Sequence, residues 1–337
     1  MRDIRIWLNH WFSTAYHIIE LIRRDDRLNF YVIGSSSDEN CVYKTVCDEF
    51  YAEPPYDDEG EYVLFCLDFC RAHAVDVFLP RRGMLAIAEH AREFGALGVK
   101  ILAERGAKTL NMLNDKASAY AMFERLGIGS VPPYKIAKTA VEFEEAYCEL
   151  KTNDNRICFK FTRDEGAASF RVVDDSILSK GWIHRSFNTK ITYQNAITLL
   201  ENAGQFPDLL LMPYLSGAEV SADCLKTAQG NIIVPRFKGT GRSERIKFDD
   251  DITRTCERIA EEFGLESPFN AQFKFDSGVP YILEVNTRLS GGVQMSALAL
   301  GVNIPNIAVN KLLGIDKSWS FEKRDATVSY VESPVEL

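Results

Sequence analysis

The chain has 337 residues, 46% of them hydrophobic and 26% charged, and a net charge of −9. That length suits two or three packed domains, and the acidic balance argues against a nucleic-acid partner beyond a local basic cleft. No apolar run nears the roughly 18 residues of a membrane span, and the opening MRDIRIWLNHWF turns polar too soon for a secretory signal, so a cytoplasmic protein without a membrane partner is expected.

Residues 4–8 read as a strand, and 12–23 as a helix with Ala15, Ile18, Ile19 and Ile22 on one side. A second strand over 29–34 ends in Ser35-Ser36-Ser37-Asp38. A third strand is expected over 43–50, then a helix over 61–73 with Val63, Leu64, Leu67 and Cys70 as its buried stripe. A strand over 75–79, a helix from Pro80-Arg81-Arg82-Gly83 to about Phe94 and a strand over 99–102 close the unit. Such alternation implies a parallel sheet with helices on both faces. Ligands of these sheets sit in the loops after the strands, here Asn9-His10, Ser35–Ser37 and Arg81-Arg82. Arg81-Arg82 suits either an anionic substrate or a solvated basic helix start. Without GxGxxG, nothing argues for a dinucleotide.

Residues 114–127 form a helix that Asn114 or Asp115 can cap and Gly127 can end. After Val131-Pro132-Pro133 come a helix over 142–150, a strand over 156–161 and the small-residue stretch Gly166-Ala167-Ala168-Ser169, followed by another strand. A helix over 193–202 and a strand over 209–215 complete an α+β layer. Glu219, Ser221 and Asp223 then alternate along one strand face, a turn falls at 229–231, and 232–237 returns. Arg236, Lys238, Arg242, Arg245 and Lys247 cluster near the loop Gly239-Thr240-Gly241, and a helix covers 251–263. The eight cysteines form no CxxC pair and read as buried free thiols, and the five histidines have no metal-ligand spacing.

The stretch FNAQFKFDSGVPYILEVNTRLSGG, residues 269–292, is a hairpin with its turn at Asp276-Ser277-Gly278. Ala271, Phe273 and Phe275 share a packed face, while Asn270, Gln272, Lys274 and Asp276 share the other. The return strand sets Tyr281, Leu283 and Val285 against Ile282, Glu284, Asn286 and Arg288. An amphipathic hairpin with one face in water would look like this. A carboxylate beside amide oxygens also suits a hard cation such as Mg²⁺, and a guanidinium two residues on suits a phosphate or carboxylate. Leu289-Ser290-Gly291-Gly292 would let backbone approach what Arg288 holds.

Taken in order, NDK at 114–116, ICFKF at 157–161, the loop at 162–170, PYLSGAEVSAD at 213–223, FNAQFKFD at 269–276 and EVNTRLSGG at 284–292 resemble the ATP-grasp superfamily, in the branch of carbamoyl-phosphate synthetase, biotin carboxylase and amino-acid ligases. The likeness extends to the ATP-grasp enzymes of biosynthetic clusters linked with tellurite-resistance operons. It implies a parallel-sheet α/β domain preceding the nucleotide fold at 1–107, a small and lid subdomain at 108–212, and a metal- and substrate-binding subdomain at 213–337. Lys116 and Lys160 match the lysines that contact ATP phosphates, with a surface cation as the other reading of each. Gly166 and Ser169 fall in the lid, which has fewer glycines than the family pattern. Met212, Tyr214 and Leu215 match the hinge that holds adenine, although Met212-Pro213 replaces a usual acid. Glu219 matches the ribose acceptor. Gln272, Glu284 and Asn286 match the ligands of Mg²⁺ (or Mn²⁺), and Arg288 the arginine beside the transferred phosphoryl group.

The resemblance implies an ATP-dependent ligase joining a small carboxylate to an amine through an acyl-phosphate, with ADP and phosphate released. Arg236 is expected to turn inward toward the acidic substrate, with solvated loops as the alternative for its basic neighbours. Two other readings are a phosphotransferase on the same scaffold and a nucleotide-sensing module without turnover. A homodimer is compatible with the apolar segment 305–313, which the core could equally claim.

Overall fold

The computed structural model describes residues 3–25, 27–164, 166, 168–178, 189–315 and 318–337. They form two compact units. The first comprises Met1–Asn111, Glu219–Gln272 and Val285–Leu337, and the second Met112–Ala218 and Phe273–Glu284.

The amino-terminal part of the first unit is a parallel five-stranded sheet, in the order β3-β2-β1-β4-β5. Its strands are β1 (Ile4–Asn9), β2 (Phe30–Ser36), β3 (Glu49–Ala52), β4 (Val77–Leu79) and β5 (Lys100–Ile101). Between them lie α1 (Ala15–Arg23), α2 (Glu59–Ala72), α3 (Met84–Glu89) and α4 (Ala91–Ala96). The expected alternation is therefore present, with three local corrections. Residues 42–46 form a single tight helical turn, because buried Tyr43 donates its hydroxyl to the Ser35 carbonyl at 2.6 Å; the strand begins only at Glu49. In α2 the buried stripe is Tyr62, Val63, Cys66, Phe69 and Cys70, whereas Leu64 is 63% exposed. Trp7 decides that rotation, stacking on Phe69 at 4.3 Å and on Phe78 at 4.1 Å. The helix expected to reach Phe94 breaks at His90, whose Nδ1 lies 2.9 Å from the Ala86 carbonyl.

The chain continues through α5 (Ala107–Asn114) and α6 (Lys116–Leu126). Asp115 caps α6 by accepting from the Ser118 amide at 2.8 Å, and Gly127 ends it in the left-handed region at φ 60°. The second unit then builds the sheet β6-β10-β7-β8-β9 from β6 (Lys135–Ala137), β7 (Ile157–Phe161), β8 (Arg171–Val173), β9 (Lys190–Ile191) and β10 (Leu209–Pro213). β10 runs antiparallel to both β6 and β7. Helices α7 (Ala140–Leu150) and α8 (Tyr193–Ala203) pack on it, with Phe143, Phe159, Ile197, Leu200 and Leu211 in their shared core.

A third sheet has the order β15-β14-β11-β12-β13-β16. It contains β11 (Glu219–Thr227), β12 (Gly230–Lys238), β13 (Ser243–Ile246), β14 (Phe269–Asp276), β15 (Val279–Asn286) and β16 (Ala326–Ser329). β14 and β15 each contribute residues to both units. Their turn, Ser277-Gly278, has φ of 49° and 84°, the positive pair of a type I′ hairpin turn. Helices α9 (Asp250–Glu262), α10 (Val293–Leu300) and α11 (Ile304–Leu313) belong to the first unit. α11 is a core helix: Ile304 through Asn310 are all buried, and Asn306 donates to the Ile22 carbonyl of α1 at 3.0 Å. Among the described residues no helix is long and apolar enough to cross a membrane.

Candidate active site

In the second unit, Lys116 sits at the start of α6 and Lys160 within β7, opposite Leu210 of β10. Both are buried, so neither is a surface cation. Their Nζ atoms approach the same oxygen, Glu284 Oε2, at 3.6 and 3.5 Å. Lys116 also donates to the Asp164 carbonyl at 2.9 Å. Burial lowers the Lys160 pKa; Glu284 opposes that shift and Lys116 adds to it. Two ammonium groups on one carboxylate oxygen leave local positive charge, the arrangement that favours a polyphosphate.

The small-residue loop after β7 folds back on its own base. Ser169 donates its hydroxyl and its amide to Asp164 Oδ2, the amide at 2.8 Å, and accepts from the Phe161 amide at 2.8 Å. Gly166 is exposed at φ 64°, with open space around its α-carbon. Ala167 lies outside the described residues. In the hinge, Met212 and Leu215 are buried, and Cys158 Sγ donates to the Met212 carbonyl at 3.5 Å. The Tyr214 ring lies beneath the Arg156 guanidinium at 4.7 Å and near the Lys274 ammonium at 5.6 Å.

The first unit holds a cavity of about 260 Å³ lined by Phe12, Gln272, Asn286, Arg288, Gly291, Gly292 and Tyr330, together with Arg236, Lys238 and Glu244. Arg288 lies over the Phe12 ring at 5.4 Å and donates to the Leu289 carbonyl at 3.2 Å. Arg81 lies over the same ring at 5.8 Å, so two guanidiniums from separate loops converge there. Arg236 is 2% exposed and turns inward as expected. It binds Asp223 through Nε at 2.8 Å and pairs with Glu244, and these two carboxylates outweigh burial to raise its pKa. Its expected basic companions are also paired: Lys238 with Glu219, Arg242 with Glu332, and Arg245 with Asp325.

Sequence reasoning left out the residues beneath this cavity. Asp223 accepts from Asn270, Ser290 and Ser296 as well as from Arg236. Its signal was an acid on the polar face of β11 between Ala222 and Cys224, where burial demands partners. Phe12, Glu244 and Tyr330 had no local signal. Glu284 and Asn286 are alternate residues of β15 and share a face, and Gln272 is on the neighbouring strand β14. Among the described residues no group of three or more His, Cys, Asp or Glu could hold a metal. Carboxylate and amide oxygens are donors of the kind that Mg²⁺ takes, and one carboxylate is too few for a metal site built by protein alone.

The three sheets have the ATP-grasp fold. More particularly, residues 205–334 match the family described as ATP-grasp in the biosynthetic pathway with Ter operon. The carbamoyl phosphate synthase large chain of Saccharolobus solfataricus is 33% identical over 260 residues, which is 72% of this chain and 22% of that protein. The chain thus spans about a quarter or less of the curated relatives it matches. The biotin carboxylase domain dimer of Hydrogenobacter thermophilus 2-oxoglutarate carboxylase, solved with MgADP, ADP and bicarbonate, superposes with a TM-score of 0.68 at 17% identity, covering 95% of this chain and 72% of that one. An L-amino acid ligase from Bacillus licheniformis gives 0.65 at 14% identity, covering 93% and 75%.

Proposed function

We propose that the chain is an ATP-dependent ligase that joins a small carboxylate to an amine. The observation that carries this reading is the pair of buried ammonium groups on Glu284. In this reading Lys116 and Lys160 take ATP phosphates and Met212, Tyr214 and Leu215 form the adenine hinge. Glu219 serves the ribose, and Gly166 and Ser169 belong to the lid. Gln272, Glu284 and Asn286 would hold Mg²⁺ or Mn²⁺, which when bound offsets phosphate charge. Arg288 steadies the acyl-phosphate or the γ-phosphate.

A carboxylate oxygen attacks the γ-phosphorus and ADP leaves; the amine nitrogen then attacks the acyl carbon and phosphate leaves. No protein nucleophile enters either step. The cations act by stabilising charge on the transferred group, and the chemistry needs an enclosed site because water would hydrolyse the acyl-phosphate. The MgADP and bicarbonate held by the Hydrogenobacter thermophilus neighbour, and the L-amino acid ligase among the others, support the reading at the level of chemistry class. The test is Mg²⁺-dependent release of ADP and phosphate from pooled amino acids and small carboxylates, with Glu284→Gln as the blank. Release that requires both a carboxylate and an amine is expected. ADP without free phosphate would sink the ligase reading in favour of phosphotransfer.

A further inference from the structure

Arg236 has little left to offer a substrate. Its Nε donates to Asp223 Oδ2 at 2.8 Å, and Nη2 reaches Ser290 Oγ at 3.0 Å, Ser221 Oγ at 3.2 Å and Asp223 Oδ1 at 3.3 Å. Nη1 pairs with Glu244. One guanidinium between two carboxylates is a net negative group, so it repels an incoming anion more than it attracts one. Nor can it move freely. A Cβ on Gly292 would fall 2.3 to 2.8 Å from the guanidinium atoms, so the plane lies directly against that backbone.

What the group does hold is the turn after Arg288. Ser290 Oγ donates to Asp223 Oδ1 at 2.6 Å and accepts from both Arg236 and the Gly292 amide. Its hydroxyl is therefore fixed in orientation. Asp223 also accepts from Ser296 of α10 at 2.6 Å and from Asn270 of β14 at 2.9 Å. The turn is thereby pinned between β11, β12, β14 and α10, and Arg288 is two residues away on the same short segment.

We infer that Asp223 and Arg236 are a positioning pair that fixes the Arg288–Gly292 segment, and that the substrate meets Arg288 and not Arg236. A rigid supporting layer of this kind sets the geometry of the groups that touch substrate. The activity arm of the test rests on the ligase reading above, and the exchange arm does not.

The experiment compares wild type with Arg236→Lys, which keeps the charge and loses the planar fork, and with Ser290→Ala, a milder change at the turn. Hydrogen exchange by mass spectrometry is expected to speed at least tenfold in peptides covering 286–296, with peptides of β1 and β7 unchanged. On a substrate pair that wild type turns over, kcat falls about ten- to hundredfold while the KM for the carboxylate moves less than threefold. A tenfold rise in that KM with unchanged exchange would overturn the inference, since Arg236 would then touch substrate. Faster exchange throughout the first unit would also overturn it, reducing the pair to a core contact. If wild type turns over no pair, the ligase reading fails, and localised or unlocalised exchange still decides the role of the pair.

Discussion

Lys160 Nζ lies 3.5 Å from Glu284 Oε2, an oxygen that Lys116 approaches almost as closely. Burial holds the Lys160 pKa below its ordinary value. The folded pKa is therefore lower than the unfolded one. Across the window between them the unfolded chain binds more protons, so stability rises with pH up to the ordinary lysine value, and the cost of charging is fully present below the lowered one. Lys160→Met keeps the stem and removes that cost. Calorimetry should give it a higher Tm than wild type at pH 7, a margin that shrinks as pH climbs toward 10.5. Its affinity for Mg·ATP should fall at least tenfold by titration calorimetry. A variant that is less stable at pH 7, or that binds nucleotide normally, would contradict this account.

Glu284→Gln removes the one carboxylate shared by both lysines. ADP release should drop more than a hundredfold while circular dichroism stays native. Chemical denaturation should show a loss of about 1–3 kcal/mol, below the cost for a fully buried pair, because the Glu284 side chain is 23% exposed. Full retention of activity would rule Glu284 out of the proposed metal ligands.

Gly292→Ala tests the contact between backbone and guanidinium. The new methyl has no room against Arg236, and overpacking of this kind costs about 1–3 kcal/mol. Gly291→Ala meets Thr14 Oγ1 at 3.1 Å, the end of a small side chain, and should cost less. Equal melting temperatures for the two variants would show that the turn yields easily.

Asp115→Ala removes the cap of α6 and the partner of Arg163, whose Nε is 3.3 Å away. The expected loss is about 1 kcal/mol. Because Lys116 is the first residue of that helix, nucleotide affinity should weaken with it. Stability loss with unchanged Mg·ATP binding would separate the cap from the Lys116 geometry.

Local patterns carried most of the fold. Alternation gave the parallel sheet, Asp115 and Gly127 gave the ends of α6, and Ser277-Gly278 gave the hairpin turn. What stayed illegible depended on partners distant in sequence. Leu64 looks like core until Trp7 stacks on Phe69 and fixes which side of α2 is buried. The strand alone gives no sign that Arg236 bonds to Asp223 and Ser290, and Ser290 is 54 residues away. Tyr43 reads as strand by residue type, but its hydroxyl bond to Ser35 selects a turn. Spacing within one element cannot report a bond between two.

The first unit is assembled from three separated stretches of chain, and that arrangement sets an order of events during synthesis. Helix α1 buries Ile18, Ile19 and Ile22 in a cluster completed by Ile304, Ile307 and Val309 of α11. The Asn306–Ile22 hydrogen bond spans 284 positions. At roughly 5–20 residues per second, the apolar side of α1 waits on the order of tens of seconds for its cover. The second unit lies mostly within one continuous stretch and can close first. A chain that stalls before α11 is made would leave the Ile18, Ile19 and Ile22 side of α1 without that cover.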